Sequence, residues 1–173
     1  LAALDLCDGP LVPIGLSMGG YVALEMARLA PQRMAAMALL SSNCRDDSAE
    51  NQHQRKQAIA LAKDKGFHGV TRHLMPRLLS QAALQDEAII ADVLSMAADI
   101  GRIGFVQQQT AIMGRRDQHD TLANFAAPVL VLCGNVDVLT PPNMSVEMVG
   151  LAPQAELCLL NSVGHLSSIE APV

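Results

Sequence analysis

The tightest constraint on this chain is a hexapeptide, Gly15-Leu16-Ser17-Met18-Gly19-Gly20. It lies between an apolar run at 11–16 and a segment with apolar residues at Val22, Leu24, Met26 and Leu29. The run reads as a buried strand, the segment as a helix packed on a sheet. A strand that passes into a helix within so few residues needs small side chains around the turn, and it forces the central residue into a strained backbone. Ser17 is that residue, and the turn lifts its hydroxyl above the sheet. The helix start behind it offers the positive end of a dipole. The backbone N–H of Met18 can donate to a developing oxyanion.

The rest of the chain has two kinds of grammar. Pro31 stops the first helix, a second apolar run covers 34–40, and Ser41-Ser42-Asn43 ends it, completing a βαβ unit. From Cys44 to Asn124 the sequence turns polar and helical. Asp47 and Glu50 have capping-box spacing and predict a helix to about Gly66. Further helices are expected over 71–79 with an interruption at Pro76, over 86–98, and over 105–113 after Gly101 and Gly104. The βα grammar then returns. Residues 129–133 form a continuous apolar run, as in a strand buried on both faces. A loop over 134–137 follows, then a helix to about Leu151 capped by Thr140 with Pro141 in its first turn. Another strand is expected at 157–160, then a loop holding Gly164 and His165. Ser167 and Glu170 open a last helix with capping-box spacing. Residues 1–7 read as the end of a helix. Pro13 is anomalous, because it removes a ladder donor inside the first strand.

The expected fold class is therefore α/β, with a mostly parallel sheet flanked by helices. Two core segments, 1–43 and 125–173, enclose an all-helical cap at 44–124.

A serine nucleophile needs a base, and the base an orienting carboxylate. Asp137 follows the strand at 129–133 and His165 follows the strand at 157–160, in the chain order Ser, Asp, His. All three fall at C-terminal strand ends, the edge where parallel sheets bind ligands. Singly each has a plainer reading: a turn-forming aspartate, a loop histidine, a solvent-facing serine on a glycine-rich turn. Their joint placement favours chemistry.

Composition removes other classes. The net charge is −5, aromatics are 2% with no Trp, and no long basic run exists, so no nucleic-acid partner is expected. No apolar stretch reaches the ~18 residues of a bilayer span, so no membrane partner is expected either. The four cysteines form no CxxC pair and read as small buried hydrophobes in a reducing, cytoplasmic compartment. His53, His68, His73 and His119 show no metal spacing and read as surface residues, so neither metal nor cofactor is expected. Arg115-Arg116-Asp117 could meet a carboxylate, although a solvated loop is the plainer reading. The cap's apolar residues could line an acyl site, with packing between helices as the plainer reading.

The three motifs together resemble the α/β-hydrolase superfamily, within it the esterase and enol-lactonase-like members with a helical cap. The matching stretches are Gly15 to Gly20, Leu130 to Pro142 with its G-x-x-D-x-x-T-P pattern, and Gly164 to Pro172 with its G-H…E-x-P pattern. The resemblance implies a catalytic triad of Ser17, Asp137 and His165, with Met18 N–H as one oxyanion donor. It also implies about four strands and a second oxyanion donor ahead of the elbow, so the chain reads as a fragment lacking about a third of the whole. An open strand edge at 11–16 and weak activity of the fragment alone are expected.

The implied function is hydrolysis of a small-molecule carboxylic ester or lactone through an acyl-enzyme on Ser17. The same triad could serve C–C cleavage or acyl transfer, because bond choice lies in the cap and upstream loops. A non-catalytic ligand-binding protein on this fold is the third reading.

Overall fold

In the computed structural model, residues 2–6, 8–63, 69 and 71–172 are described. A 3-10 turn at Ala2–Leu6 leads to β1 (Ile14–Leu16), α1 (Met18–Leu29) and β2 (Met37–Leu40). Then come α2 (Ala49–Lys63), α3 (Met75–Leu78), α4 (Glu87–Met113) and α5 (His119–Ala123). The chain closes with β3 (Val129–Gly134), α6 (Pro142–Leu151), β4 (Ala155–Leu160) and α7 (Ser167–Glu170). The four strands form one parallel sheet in the order β1-β2-β3-β4.

Register explains the core. Gly15, Leu39, Val131 and Leu157 are aligned across the sheet and share a face. On that face Leu39 and Val131 are fully buried against Leu24 of α1, Leu122 of α5 and Met148 of α6. Each such side chain contributes roughly 1.5–3 kcal/mol by leaving water. A second cluster, Met75, Leu79, Ala83, Ile90 and Val93, holds α3 and α4 together.

Pro13 has a physical account. Leu11 donates to the Arg33 carbonyl and accepts from Ala35 N–H, whereas the Pro13 carbonyl accepts from Ala38 N–H. Two residues of the first strand thus span three of the second, a bulge. Proline sits where the ladder is already interrupted, and the regular strand begins after it. β1 is the edge of the sheet, and Val12 and Ile14 stand exposed there.

Several helix starts differ from expectation. Asp47 does not cap α2; the Ser48 hydroxyl accepts from Asn51 N–H, and Asp47 is buried between two arginines. The predicted end of that helix near Gly66, like Cys7 and His68, lies outside the described residues. Pro76 sits in the first turn of α3 rather than interrupting a longer helix, a position where its missing N–H costs nothing. The helices expected over 86–98 and 105–113 run together as α4, capped by Asp86 and bent at Gly101, whose φ of 62° suits a residue without Cβ. Thr140 does not cap α6, which starts at Pro142 after Pro141. Ser167 is buried inside α7 and its hydroxyl has no partner among the described residues, so the second capping box is not formed either.

Candidate active site

Ser17 stands between β1 and α1 with φ 53° and ψ −113°. A non-glycine residue in this region stores on the order of 1–3 kcal/mol and persists only where its surroundings hold it. Its N–H donates to Leu40 O at 2.8 Å, and its carbonyl accepts from the Ser42 hydroxyl at 2.9 Å and from Gly20 N–H at 3.0 Å. The sharpness of the turn also explains Gly15: a Cβ there would lie 2.2 Å from the Gly19 carbonyl carbon.

The strand ends bring the three predicted side chains together. Ser17 Oγ is 2.9 Å from His165 Nε2, and His165 Nδ1 is 2.9 Å from Asp137 Oδ2. Asp137 Oδ1 accepts from the N–H groups of Leu139 and Thr140, and Oδ2 accepts from the Thr140 hydroxyl at 2.7 Å. Asp137 and His165 are buried, at 3% and 4% exposure. Burial pushes the Asp137 carboxyl up, but the hydrogen bond and charge of His165, with the N–H and hydroxyl of Thr140, outweigh it. The carboxyl ends below its ordinary value. A carboxylate beside Nδ1 requires that nitrogen to carry the proton, which leaves the Nε2 lone pair facing the serine hydroxyl. Met18 is the first residue of α1, so its N–H is among the helix-start donors without an intrahelical acceptor.

Two polar residues with other sequence readings also belong to the site. Thr140, expected as a helix cap, touches both Asp137 and His165. Glu170, expected in a capping box, accepts from Gly164 N–H and from Ser80 N–H, so one carboxylate ties the histidine loop to the segment after α3. His165 N–H itself donates to Leu78 O at 3.0 Å. The sequence signal for these roles is that Thr140 is the threonine of the G-x-x-D-x-x-T-P pattern and Glu170 the glutamate of the G-H…E-x-P pattern.

Ser17 and His165 open into a cleft of about 720 Å³ whose walls include Tyr21, Leu74, Leu78, Phe105, Ile112 and Met144. Of the cap residues expected to face either a substrate or each other, Leu74, Leu78 and Ile112 reach the cleft, while Met75 and Leu79 pack inward. Arg115 is not in a solvated loop. Its guanidinium pairs with Asp47 at 2.8 Å and lies 4.5 Å above the Tyr21 ring. Burial pushes the Cys44 thiol up to about 12, with Glu147 and Asp117 adding to it, so Cys44 is not a thiolate nucleophile.

The profile describing the alpha/beta hydrolase fold matches residues 6–172. The chain belongs to the α/β-hydrolase family. Among solved structures, this hydrolase-fold chain is similar to a thermophilic esterase of Thermogutta terrifontis, with 30% identity and a TM-score of 0.88 over 95% of this chain and 61% of that one. It is 29% identical over 171 residues to a pimeloyl-acyl-carrier-protein methyl ester esterase of Neisseria meningitidis, covering 95% of this chain and 67% of that protein. It is 28% identical to the dihydrolipoyllysine-residue acetyltransferase component of the acetoin cleaving system of Pseudomonas putida, covering 97% of this chain and 43% of that protein. The chain thus spans about two thirds or less of the length of these relatives. No helix among the described residues is long and apolar enough to cross a membrane.

Proposed function

We propose that this chain carries the catalytic residues of a serine hydrolase that cleaves a small-molecule carboxylic ester or lactone. The observation that carries the reading is the unbroken relay Ser17 Oγ, His165 Nε2, His165 Nδ1, Asp137 Oδ2, with 2.9 Å at each gap. In this reading His165 takes the hydroxyl proton as Ser17 attacks the carbonyl carbon, and it returns that proton to the leaving oxygen. Asp137 holds the tautomer and stabilises the imidazolium formed in between. The Met18 N–H faces the oxyanion of the tetrahedral intermediate, and water activated by His165 then releases the acyl group. Residues 1–43 and 125–173 serve as the core and 44–124 as the cap that shapes the cleft. Two relatives named as esterases support the ester-hydrolase reading. The free thiols of Cys44 and Cys133 fit a cytoplasmic compartment.

Fluorophosphonate labelling, read by mass spectrometry of the peptide containing Ser17, tests this. The label is expected on Ser17 and is expected to be lost in His165→Ala. A folded protein that takes no label carries no activated serine, and the ligand-binding reading then replaces this one. The relative named as an acetyltransferase component keeps acyl transfer as a second use of the same relay. Product analysis with water and with thiol acceptors separates the two.

A further inference from the structure

Away from the cleft, three side chains of metal-ligating type converge from three elements. Cys44 follows β2, His119 opens α5 and Glu147 lies on α6. One ligand atom from each lies within 4.8 Å of the others. We propose that Cys44 Sγ, His119 Nε2 and a Glu147 carboxylate oxygen form a binding site for a divalent cation of borderline softness, Zn²⁺ above all.

The chemistry of the donor set points to this ion. A thiolate, an imidazole and a carboxylate, with the fourth position left to water, are ligands that zinc takes in tetrahedral sites. Ligand bonds of about 2.0–2.3 Å put neighbouring ligand atoms roughly 3.3–3.7 Å apart. His119 Nε2 and Glu147 Oε1 are already 3.2 Å apart. Only a contraction of about an ångström at the thiol is then needed, within reach of side-chain rotation.

Two further observations are independent of the spacing. Cys44 is 1% exposed, and its Sγ makes no hydrogen bond to another residue among the described residues. The nearby polar atoms of His119 and Glu147, within 4.8 Å, are thus the ones a metal-bound thiolate would share its ion with. His119 is also oriented as zinc-bound histidines usually are: its Nδ1 lies 2.7 Å from an Asp117 carboxylate oxygen, which fixes the far nitrogen and turns Nε2 toward the other two ligands. With Nδ1–H given to Asp117, Nε2 meets the Glu147 oxygen either through a second ring proton or through a cation that takes the place of that proton. Arg45 holds both Glu147 oxygens, Nε on Oε2 at 2.8 Å and Nη2 on Oε1 at 3.0 Å, but its side chain is 47% exposed and can keep Oε2 while Oε1 turns to the metal. On binding, the thiol proton passes to solvent.

The location gives the site a purpose. Cys44 lies where the chain leaves the core for the cap, and Gln118-His119 lies where it turns back toward the core, just ahead of the proposed boundary at 124, with Leu122 and Phe125 already in the core cluster. The two crossings already share a hydrogen bond, Gln118 N–H to Cys44 O at 2.8 Å. A metal joining them to α6 would clamp the root of the cap beside Arg45 and Arg115, which line the cleft.

The test uses the purified full chain after exhaustive dialysis against a chelator. Co²⁺ is titrated in and then displaced by Zn²⁺. The expected result is one Co²⁺ per chain, with a near-ultraviolet thiolate-to-cobalt charge-transfer band that Zn²⁺ abolishes. Cys44→Ser should lose the band, and Asp117→Asn should weaken Zn²⁺ binding by about 10- to 100-fold. His165→Ala should leave both unchanged, which separates this site from the cleft. Absence of the band in the parent chain overturns the proposal. So does Zn²⁺ binding of equal strength in Cys44→Ser and in His119→Gln, each with a parent-like far-ultraviolet spectrum. If Cys44→Ser fails to fold, the band and its loss in Glu147→Gln decide.

Discussion

The Thr140 hydroxyl touches both buried partners of the relay, 2.7 Å from Asp137 Oδ2 and 3.3 Å from His165 Nδ1. One side chain thereby sets the orientation of the carboxylate with respect to the imidazole. Thr140→Val keeps the shape and removes that donor. A hydrogen bond to a charged group contributes about 1.5 kcal/mol, equivalent to roughly tenfold in rate. Fluorophosphonate labelling of Ser17 is expected to slow by about that factor, with stability lowered by a similar amount. An unchanged labelling rate would show that the hydroxyl has no positioning role.

The depressed Asp137 carboxyl has a consequence for stability. A carboxyl whose folded value lies below its unfolded value stabilises the native state above the unfolded value, near 3.8, and loses that contribution as pH falls through the folded value. Asp137→Asn should therefore be less stable than the parent at neutral pH. The gap should hold down to about pH 5 and narrow below about pH 4. Urea unfolding of both proteins across that range checks it, and a gap independent of pH would contradict the assignment.

Asp47 is fully buried and shared by Arg55 at 3.0 Å and Arg115 at 2.8 Å. Asp47→Ala leaves two guanidinium groups without their carboxylate, one of them only 10% exposed. Removing one partner of a buried pair typically costs 3–5 kcal/mol, and the partial exposure of Arg55 puts the expected loss near the lower bound, about 3 kcal/mol. Chemical denaturation measures it directly. A loss below about 1 kcal/mol would mean that the arginines find water instead.

Gly15 has no room for a methyl group, since its nearest neighbours would be backbone atoms of Gly19 and Gly20. Backbone cannot move aside as a flexible side chain can, so Gly15→Ala should open the turn between β1 and α1. A destabilisation on the order of 3 kcal/mol and loss of Ser17 labelling are expected together. Labelling at the parent rate would show that the turn tolerates the opening.

Arg77 also lines the cleft and carries no ion pair among the described residues, whereas Arg45, Arg55 and Arg115 are each held by a carboxylate. A substrate carboxylate would meet Arg77 first. Arg77→Gln should raise KM for carboxylate-bearing esters severalfold and leave neutral esters unchanged, a contrast that steady-state kinetics on paired substrates can measure. Equal effects on both substrate types would remove Arg77 from recognition.

The order of the four strands, the elbow at Ser17 and the positions of Asp137 and His165 were legible in the sequence, whereas α5 (His119–Ala123) and the union of two expected helices in α4 were not. Apolar periodicity, glycine and proline report where a backbone runs and where it turns, and those are local properties. The choice of partner for each polar side chain was not legible. Asp47, Thr140 and Glu170 each stood at spacing that suits a helix cap, yet each forms hydrogen bonds elsewhere, Glu170 with a backbone 90 positions away. Cys44, His119 and Glu147 carried no common motif, because nothing in a linear spacing encodes that two chain crossings and a helix meet. Capping competes with whatever stronger partner folding brings near. A buried charge or a close approach outweighs a surface cap of about 1 kcal/mol. Local pattern by itself determined the scaffold and the three residues at its strand ends; only the packed chain decided which groups hold them in place.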